Sequence, residues 1–600
     1  MERNKLSSNL SNKFFNDVNK YYRFDSSLNY YVNNKDYSLP YNDGNAYEEY
    51  VYNVVKNVKD RSEFSKELRG AIKDWPSFYY LSPIRNNIFR PIKKYLKGVG
   101  LEAGAGMGAL TRELAKEASL LFALEGSKQR ARVIGKRCED LDNVKVLVDD
   151  IMKFPIKGLD FITLIGVLEY ASCFSNDENS HLNMLKKIND SLSDDGFLIV
   201  AIENKLGLKY ISGAKEDHVG VSYVGIHDSY KQGTAQTFTR QKLISLFHEA
   251  GFNGLKFYYP FPDYKQPKVI ITENALGRND FNLASFMSLC VQEGYPQSAS
   301  FSKTFSDEAL WRVICENKNL QDFSNSFLVI ATKNPRTFQK YIDSDIAYAY
   351  SSGRDKEFAT EVKISSFKGK LVVNRENLYK FDEEDKNHNL CIKQNLKCED
   401  YIEGISYFEK ILPMINTPNF LLKDIASLLT PWISYLLQFA VKDNDSGKIL
   451  IPEKYLDCTP TNLIIGKNNY LYPFDFEWKY KKEYIPILWV IHRGIQGVLT
   501  SVEAIADSKD IENKSIIQVI WEIILHLGFN VTNDDVEEVY ELENELQSDV
   551  TGFKQDIREY LGNPLKVRRS ISWYEDKMSE FIKIIYAYEN KLNKSQEINI

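Results

Sequence analysis

Glu102, Gly104, Gly106 and Gly108 stand in one short stretch, Leu101-Glu-Ala-Gly-Ala-Gly-Met-Gly108, between an apolar run and a helix-like run. Strand, glycine loop and helix bring backbone amides close to a nucleotide-like ligand, because glycine turns tightly and has no Cβ to block it. Glu125, Asp150 and Gly166 follow where the next strands of such a fold should end. A carboxylate at Glu125 can accept from both ribose hydroxyls and one at Asp150 from an adenine amino group, while Gly166 lies beside the reacting end of the ligand. Gly104 and Glu125 are 21 residues apart, room for one helix and one strand. A dinucleotide site shares that spacing but is written Gly-x-Gly-x-x-Gly, with a pyrophosphate on the helix N-terminus. Here Glu102 precedes Gly-x-Gly-x-Gly; it would repel a pyrophosphate and can pair with an ammonium group. S-adenosylmethionine carries an amino acid and a sulfonium and no phosphate, so charge favours it over NAD.

The second chemical cluster is Asp457-Cys-Thr-Pro-Thr-Asn462, an apolar strand, a turn, and Phe474-Asp-Phe-Glu-Trp478. Asp457 to Asn462 is five residues and Asn462 to Asp475 is 13. This resembles the catalytic loop and metal-binding segment of protein-kinase-like phosphotransferases. The resemblance implies Asp457 as acceptor of a substrate proton, Asn462 and Asp475 as magnesium ligands, ATP as cofactor, and Tyr401-Ile-Glu-Gly404 as the adenine hinge. Departures accompany it: Tyr455 stands where the catalytic histidine is usual, Gly369 is alone where a glycine-rich loop is expected, and too little chain separates Lys380 from the hinge for the usual helix. An active kinase and a kinase-like scaffold both remain open.

Length, charge and the elements between these clusters set the frame. Six hundred residues suggest about two to four domains. A net charge of −6 gives no sign of the basic surface that nucleic acid requires, so no nucleic-acid partner is expected. The 37 tyrosines and 34 phenylalanines suit stacking on sugars or nucleosides as well as a core. Seven scattered cysteines form neither a CxxC pair nor a Cys/His cluster, which argues against a disulfide framework or zinc site. No apolar window approaches the roughly 18 to 20 residues that span a bilayer, and no signal-like core opens the chain. A cytoplasmic protein is expected, with peripheral association at the inner membrane face as an option.

Strand and helix alternate through the first half at α/β spacing. Seven strands are expected, at Val99–Glu102, Leu120–Glu125, Val144–Val148, Phe161–Ile165, Gly196–Ile202, Leu255–Tyr259 and Ser326–Thr332. Helices are expected at Leu110–Ala118, Lys128–Cys138, His181–Leu192 and Arg240–Ala250. The expected organisation is an irregular arm over 1–46, an α/β Rossmann-like domain over 47–335 with an insertion at about 260–323, a truncated kinase-like α+β domain over 336–500, and a helical region over 501–600. In the kinase-like part, short strands are expected at Ala359–Ile364, Lys370–Val373, Asn377–Phe381 and Leu390–Ile392. The stripe of Met578, Phe581, Ile582, Ile585, Tyr586 and Tyr588 reads as core or a helix partner before it reads as a membrane face.

The glycine loop with its acids resembles class I S-adenosylmethionine-dependent methyltransferases. Three further strings narrow the resemblance: Ile165-Gly-Val-Leu-Glu-Tyr-Ala171, Ala201-Ile-Glu-Asn-Lys-Leu-Gly-Leu-Lys-Tyr-Ile-Ser-Gly-Ala-Lys-Glu-Asp-His218, and Tyr258-Tyr-Pro-Phe-Pro-Asp-Tyr-Lys265. With Ser326–Ala331 they are similar to methyltransferases of bacterial surface-polysaccharide (O-antigen and capsule) biosynthesis, over roughly 75–333. That resemblance implies methyl transfer to a glycan, or to a phosphate on one, in a lipid-linked or phosphorylated precursor, with glycosyltransferases as partners. Methyl transfer needs alignment above all, and a hydroxyl acceptor also needs a base. His218 and Asp217, on a loop after the fifth expected strand, and Glu169 with Tyr170 after the fourth, are the candidates; a structural role for His218 stands beside the catalytic one. A phosphate acceptor would instead need cations such as Lys209, Lys215 or Arg240. Two other outcomes stay open: a bifunctional kinase–methyltransferase that caps a chain end, and a non-catalytic nucleotide-binding platform.

Overall fold

The computed structural model describes residues 18–597 except 36, 40–43, 176, 291–302 and 382–389. Its centre is set by apolar runs buried on both faces, the pattern that makes interior strands of a largely parallel sheet. The strands of the main sheet are β1 (Tyr22–Asp25), β2 (Tyr30–Asn33), β3 (Gly98–Ala103), β4 (Ala118–Glu125), β5 (Val144–Val148), β6 (Leu159–Ile165), β7 (Leu192–Glu203), β8 (Gly254–Phe261), β9 (Val269–Thr272), β10 (Ser326–Thr332), β11 (Asp345–Tyr350), β12 (Thr360–Phe367) and β13 (Lys370–Asn377). Their order is β1-β2-β5-β4-β3-β6-β7-β10-β8-β9-β11-β12-β13, ending on Cys398–Asp400. From β2 to β7 neighbours are parallel, and β10 runs antiparallel to both β7 and β8. Helices Thr111–Glu117, Lys128–Arg137 and Ser180–Ser191 connect the parallel strands, and Arg240–Glu249 precedes β8. The fold is mixed α/β, and each of the seven strands and four helices expected in the first half has a counterpart within a few residues.

Four differences have physical reasons. The arm over 1–46 is not irregular where it is described: β1 and β2 form a hairpin whose second strand pairs with β5. Tyr22 Oη and Asn33 Nδ2 donate to the Asp149 carboxylate at 2.8 and 2.6 Å, and with the buried side chains of Tyr22, Tyr30, Tyr31 and Val32 they dock the hairpin on the sheet. The boundary at 335/336 is not a break in the sheet, because β11 pairs with β9 and carries the sheet on through β12 and β13. The boundary at 500/501 divides one core, since Ile495 and Val498 pack in the same cluster as Ile520, Ile523 and Val539. Residues 378–381 are not a strand; β13 ends at Asn377.

The insertion joins the halves of the chain. Asn282 Nδ2 donates to the Gly404 carbonyl at 2.8 Å, and Asn282 N donates to Tyr401 Oη at 3.3 Å. In the final helix, Ile571–Glu597, the stripe expected as core or as a helix partner is not core: Met578, Phe581, Ile582, Ile585, Tyr586 and Tyr588 are all exposed. No helix among the described residues is long and apolar enough to cross a membrane.

Candidate active site

The carboxyl ends of the parallel strands open into a cavity of about 880 Å³, where open α/β sheets take their ligands. Gly104 and Gly106 line it, at φ +72° and +58°. A Cβ on Gly104 would stand 2.5 Å from Val167 Cγ2, so this position excludes side chains by conformation and by space. Gly108 differs from its expected role. It lies outside the cavity lining, and its missing Cβ lets the loop settle on Ile134 and Arg137 of the helix Lys128–Arg137. Gly166 lines the cavity at φ +70°, and a Cβ there would meet Tyr264 Oη at 2.8 Å.

Glu125 ends β4 with both oxygens on backbone amides: Oε2 accepts from Gly106 N at 2.8 Å and Oε1 from Ser127 N at 2.9 Å. It thereby fixes the glycine loop, and each oxygen keeps a lone pair for a further donor. Asp150 lines the cavity, accepts from Met152 N at 2.9 Å and sits 3.1 Å from Lys153 Nζ. Its neighbour Asp149 is taken up by the N-terminal hairpin.

Glu102 is buried and its Oε2 makes no hydrogen bond. Burial pushes its carboxyl up to about 8. Facing the same cavity is Arg85, which sequence reasoning passed over. It is buried, its guanidinium lies 3.5 Å from the Tyr79 ring centroid, and Nη1 makes no hydrogen bond. Burial lowers its pKa to about 10. A carboxyl and a guanidinium, each with a buried polar atom unmatched, form a pair of opposite charges suited to the ammonium and carboxylate of an amino acid. The sequence carries no distinct signal for it: Arg85 shares the run Trp75–Ile92 with Arg90, Asn86 and Asn87, and only the fold brings it to the cavity that Glu102 lines.

At the other end, Glu169, Tyr170, Asp217 and His218 line the cavity together. His218 Nδ1 lies 2.9 Å from Glu216 Oε1, and Nε2 lies 3.5 Å from Glu169 Oε1 and 3.9 Å from Glu203 Oε2. Burial opposes its charge, yet Glu203, Glu169 and Glu216 hold its pKa well above the ordinary value. The expectation of a free imidazole base is therefore corrected: these carboxylates favour the imidazolium. Asp217 is corrected too. Lys209 Nζ lies 2.8 Å from its Oδ2, and Lys265 Nζ contacts the same oxygen. Against its burial, the two ammonium groups hold it far below the usual carboxylate range, so it is no proton acceptor. The phosphate-binding cations also fall elsewhere. Lys209 is buried against Asp217, Arg240 pairs with Glu273 at 3.0 Å, and Lys215 is exposed; none of the three lines the cavity.

The second cluster is arranged differently. Asp457 Oδ1 lies 2.6 Å from Arg493 Nη2, and Arg493 Nη1 lies 2.8 Å from the buried Glu543. Asn462 Nδ2 donates to the Asp457 carbonyl at 3.1 Å. Asp475, in the left-handed region at φ +61°, pairs through Oδ1 with Arg375 Nε at 2.7 Å, and Arg375 also reaches Glu399 at 2.8 Å. Arg375 of β13, rather than Lys380, is thus the strand cation beside Asp475. Gly369 forms the tight turn between β12 and β13. The carbonyl of Gly404, on the expected hinge, accepts from Asn282.

No family model matches the chain. It is similar to curated proteins described as probable ribosomal RNA small subunit methyltransferase A: 34% identical over 74 residues to that of Methanococcus maripaludis, and 36% over 70 residues to that of Methanococcus vannielii. Each match takes in 12% of this chain, and the chain spans 28% and 26% of the two relatives. Among solved structures it is similar to an S-adenosylmethionine-dependent methyltransferase of Thermotoga maritima, at 17% identity and TM-score 0.24, covering 42% of this chain and 91% of that one. It is also similar to a Haemonchus contortus phosphoethanolamine N-methyltransferase in complex with S-adenosylhomocysteine, at 15% identity and TM-score 0.25, covering 41% and 52%. Scores of this size carry no weight for the chemistry.

Proposed function

We propose that the first half of the chain binds S-adenosylmethionine and transfers its methyl group to an acceptor held between Glu169, Tyr170 and His218. The observation that carries this reading is the buried pair of unmatched groups, Glu102 Oε2 and Arg85 Nη1, at the glycine-loop end of the cavity. In this reading the ligand's ammonium meets Glu102, its carboxylate meets Arg85, its ribose meets Glu125 and its adenine meets Asp150. The pocket's contribution is to line up acceptor, methyl and sulfur, which is most of what such a displacement requires. As the methyl passes from sulfur to the acceptor oxygen and S-adenosylhomocysteine leaves, Glu169, whose oxygens make no hydrogen bond, takes the acceptor's proton, and His218 orients the acceptor.

The acceptor we propose is a bacterial surface glycan or its lipid-linked precursor, accepting through a hydroxyl. Support comes from the strings similar to polysaccharide methyltransferases, whose residues Asp217, His218, Tyr264 and Lys265 all border this cavity. A phosphate acceptor has less support, since the cations proposed for it lie elsewhere. An RNA acceptor, suggested by the names of the curated relatives, is disfavoured by the net charge of −6.

For the second half we favour a kinase-like scaffold over an active kinase that would use ATP and magnesium, because Asp457 and Asp475 are each closed on an arginine and the Gly404 carbonyl on Asn282. Titration calorimetry tests the main reading. S-adenosylmethionine should bind one site per chain, and Gly104→Arg and Glu125→Ala should each abolish the heat. No heat with wild-type protein at a large excess of cofactor would sink the proposal.

A further inference from the structure

Beyond the methyl-donor end, the cavity reaches a cluster of buried charges that alignment of donor and acceptor does not require. Glu169 follows β6, Glu203 ends β7, and His218 comes from the loop before the helix Arg240–Glu249. One oxygen of each carboxylate and one imidazole nitrogen lie within 4.8 Å of one another. His218 Nε2 is 3.5 Å from Glu169 Oε1 and 3.9 Å from Glu203 Oε2. Such separations suit three donors placed around one small cation at about 2.0–2.2 Å each. The other imidazole nitrogen rests 2.9 Å from Glu216 Oε1. A carboxylate behind the ring is how metal-bound histidines are commonly oriented.

A second, independent observation points to a missing partner. Glu169 is 0% exposed and neither of its oxygens makes a hydrogen bond; Glu203, also 0% exposed, has none at Oε2. Leaving a buried carboxylate without a donor is costly. The local charge does not close either. Glu169, Glu203, Glu216, Asp217 and Asp263 face Lys209, Lys265 and His218. Lys265 is already 2.5 Å from Glu203 Oε1 and in contact with Asp217, while Lys209 serves Asp217 and Asp263. Even with His218 counted as a cation, five carboxyl groups face three cationic groups, so the cations on hand do not answer every carboxyl.

We infer that Glu169, Glu203 and His218 bind a first-row divalent cation. One imidazole with two carboxylates suits ions such as Mn²⁺, Fe²⁺ and Zn²⁺. Glu216 is a positioning residue that holds the ring. Since Glu169 and His218 line the cavity, the ion's open positions face it and would take oxygen atoms of the acceptor. That last clause rests on the methyltransferase reading; the site itself does not.

The test is a titration of Mn²⁺ into the full metal-free chain, without cofactor or acceptor, with free Mn²⁺ followed by electron paramagnetic resonance. One Mn²⁺ per chain is expected. Glu169→Gln and His218→Ala should lose it, and Glu216→Gln should bind about 10–100-fold more weakly. Glu125→Ala, expected to block S-adenosylmethionine, should bind Mn²⁺ like the wild type, which separates this site's failure from that of the methyl-donor reading. No bound Mn²⁺ overturns the inference, as does wild-type affinity in Glu169→Gln. If the variants do not fold, pulsed resonance on the wild-type complex decides: coupling to an imidazole nitrogen supports the site, and its absence overturns it.

Discussion

The two halves of the chain bury ionisable groups in opposite ways. Around Asp457 each carboxylate meets an arginine: Arg493 bridges Asp457 and Glu543, and Arg375 bridges Asp475 and Glu399, although Arg493 Nε and both ring nitrogens of the neighbouring His492 are buried without a hydrogen bond. Around the glycine loop, ionisable groups are buried with polar atoms left unmatched, at Glu102 Oε2 and Arg85 Nη1. Folding alone gives no reason to desolvate a group and then withhold its partner. A closed network is what a scaffold needs, whereas unmatched atoms lining a cavity mark where a ligand completes the structure. The contrast supports the scaffold reading that we propose for the second half and the methyl-donor reading that we propose for the first.

Removing a charge from each region should break the comparison if it is wrong. Arg493→Met strands two buried carboxylates and should cost about 3–5 kcal/mol of stability, read from denaturant unfolding. Addition of ATP and magnesium should leave the wild-type melting temperature unchanged; a rise abolished by Asp475→Ala would restore the active-kinase reading. Arg85→Met should behave differently. It removes a buried cation that lacks a hydrogen bond at Nη1, so stability should hold or rise, while S-adenosylmethionine binding should weaken by about 1.5–3 kcal/mol, the range for a hydrogen bond to a charged group. Calorimetry beside unfolding separates the two effects, and a stability loss at Arg85 as large as at Arg493 would erase the distinction.

How far this contrast could be read from the sequence depends on range. Strands β3 to β8 and β10 were legible because each is a run of apolar residues long enough to be buried on both faces, and the glycine loop was legible because its residues are adjacent. The hairpin β1–β2 was not, because its strands are four residues each in a polar segment and are docked by Tyr22 and Asn33 on Asp149, more than 100 residues away. Both adjacent aspartates line the cavity, and that contact engages Asp149 while leaving Asp150 outside the hairpin's hydrogen bonds. Arg85 escaped notice because it belongs to no motif, and Glu203, though inside the string Ala201–His218, received no role of its own; each matters only through neighbours that the fold supplies. For His218 the position was legible and the protonation was not. Three carboxylates, at 169, 203 and 216, surround it from different segments and reverse the role its ordinary pKa suggests.

Per unit of pH, the smallest expected effect is the most specific to the unmatched pair. Burial holds the Glu102 carboxyl up to about 8, against an ordinary value of 4.5. Between those values the folded ligand-free chain carries a proton that the unfolded chain has lost, so this group makes stability fall as pH rises from about 4.5 to about 8. A cationic ligand reverses the preference, because the ammonium favours the ionised carboxylate. S-adenosylmethionine affinity should therefore rise as pH increases toward 8, by up to about tenfold per pH unit. Glu102→Gln keeps the shape and removes the charge. It should bind more weakly above pH 8 and flatten the profile below it, while the ligand-free chain loses less stability between pH 5 and 8 than the wild type. A wild-type affinity that does not change over that range would mean the ammonium does not sit on Glu102, and the ligand's amino acid end would have to be placed elsewhere in the cavity.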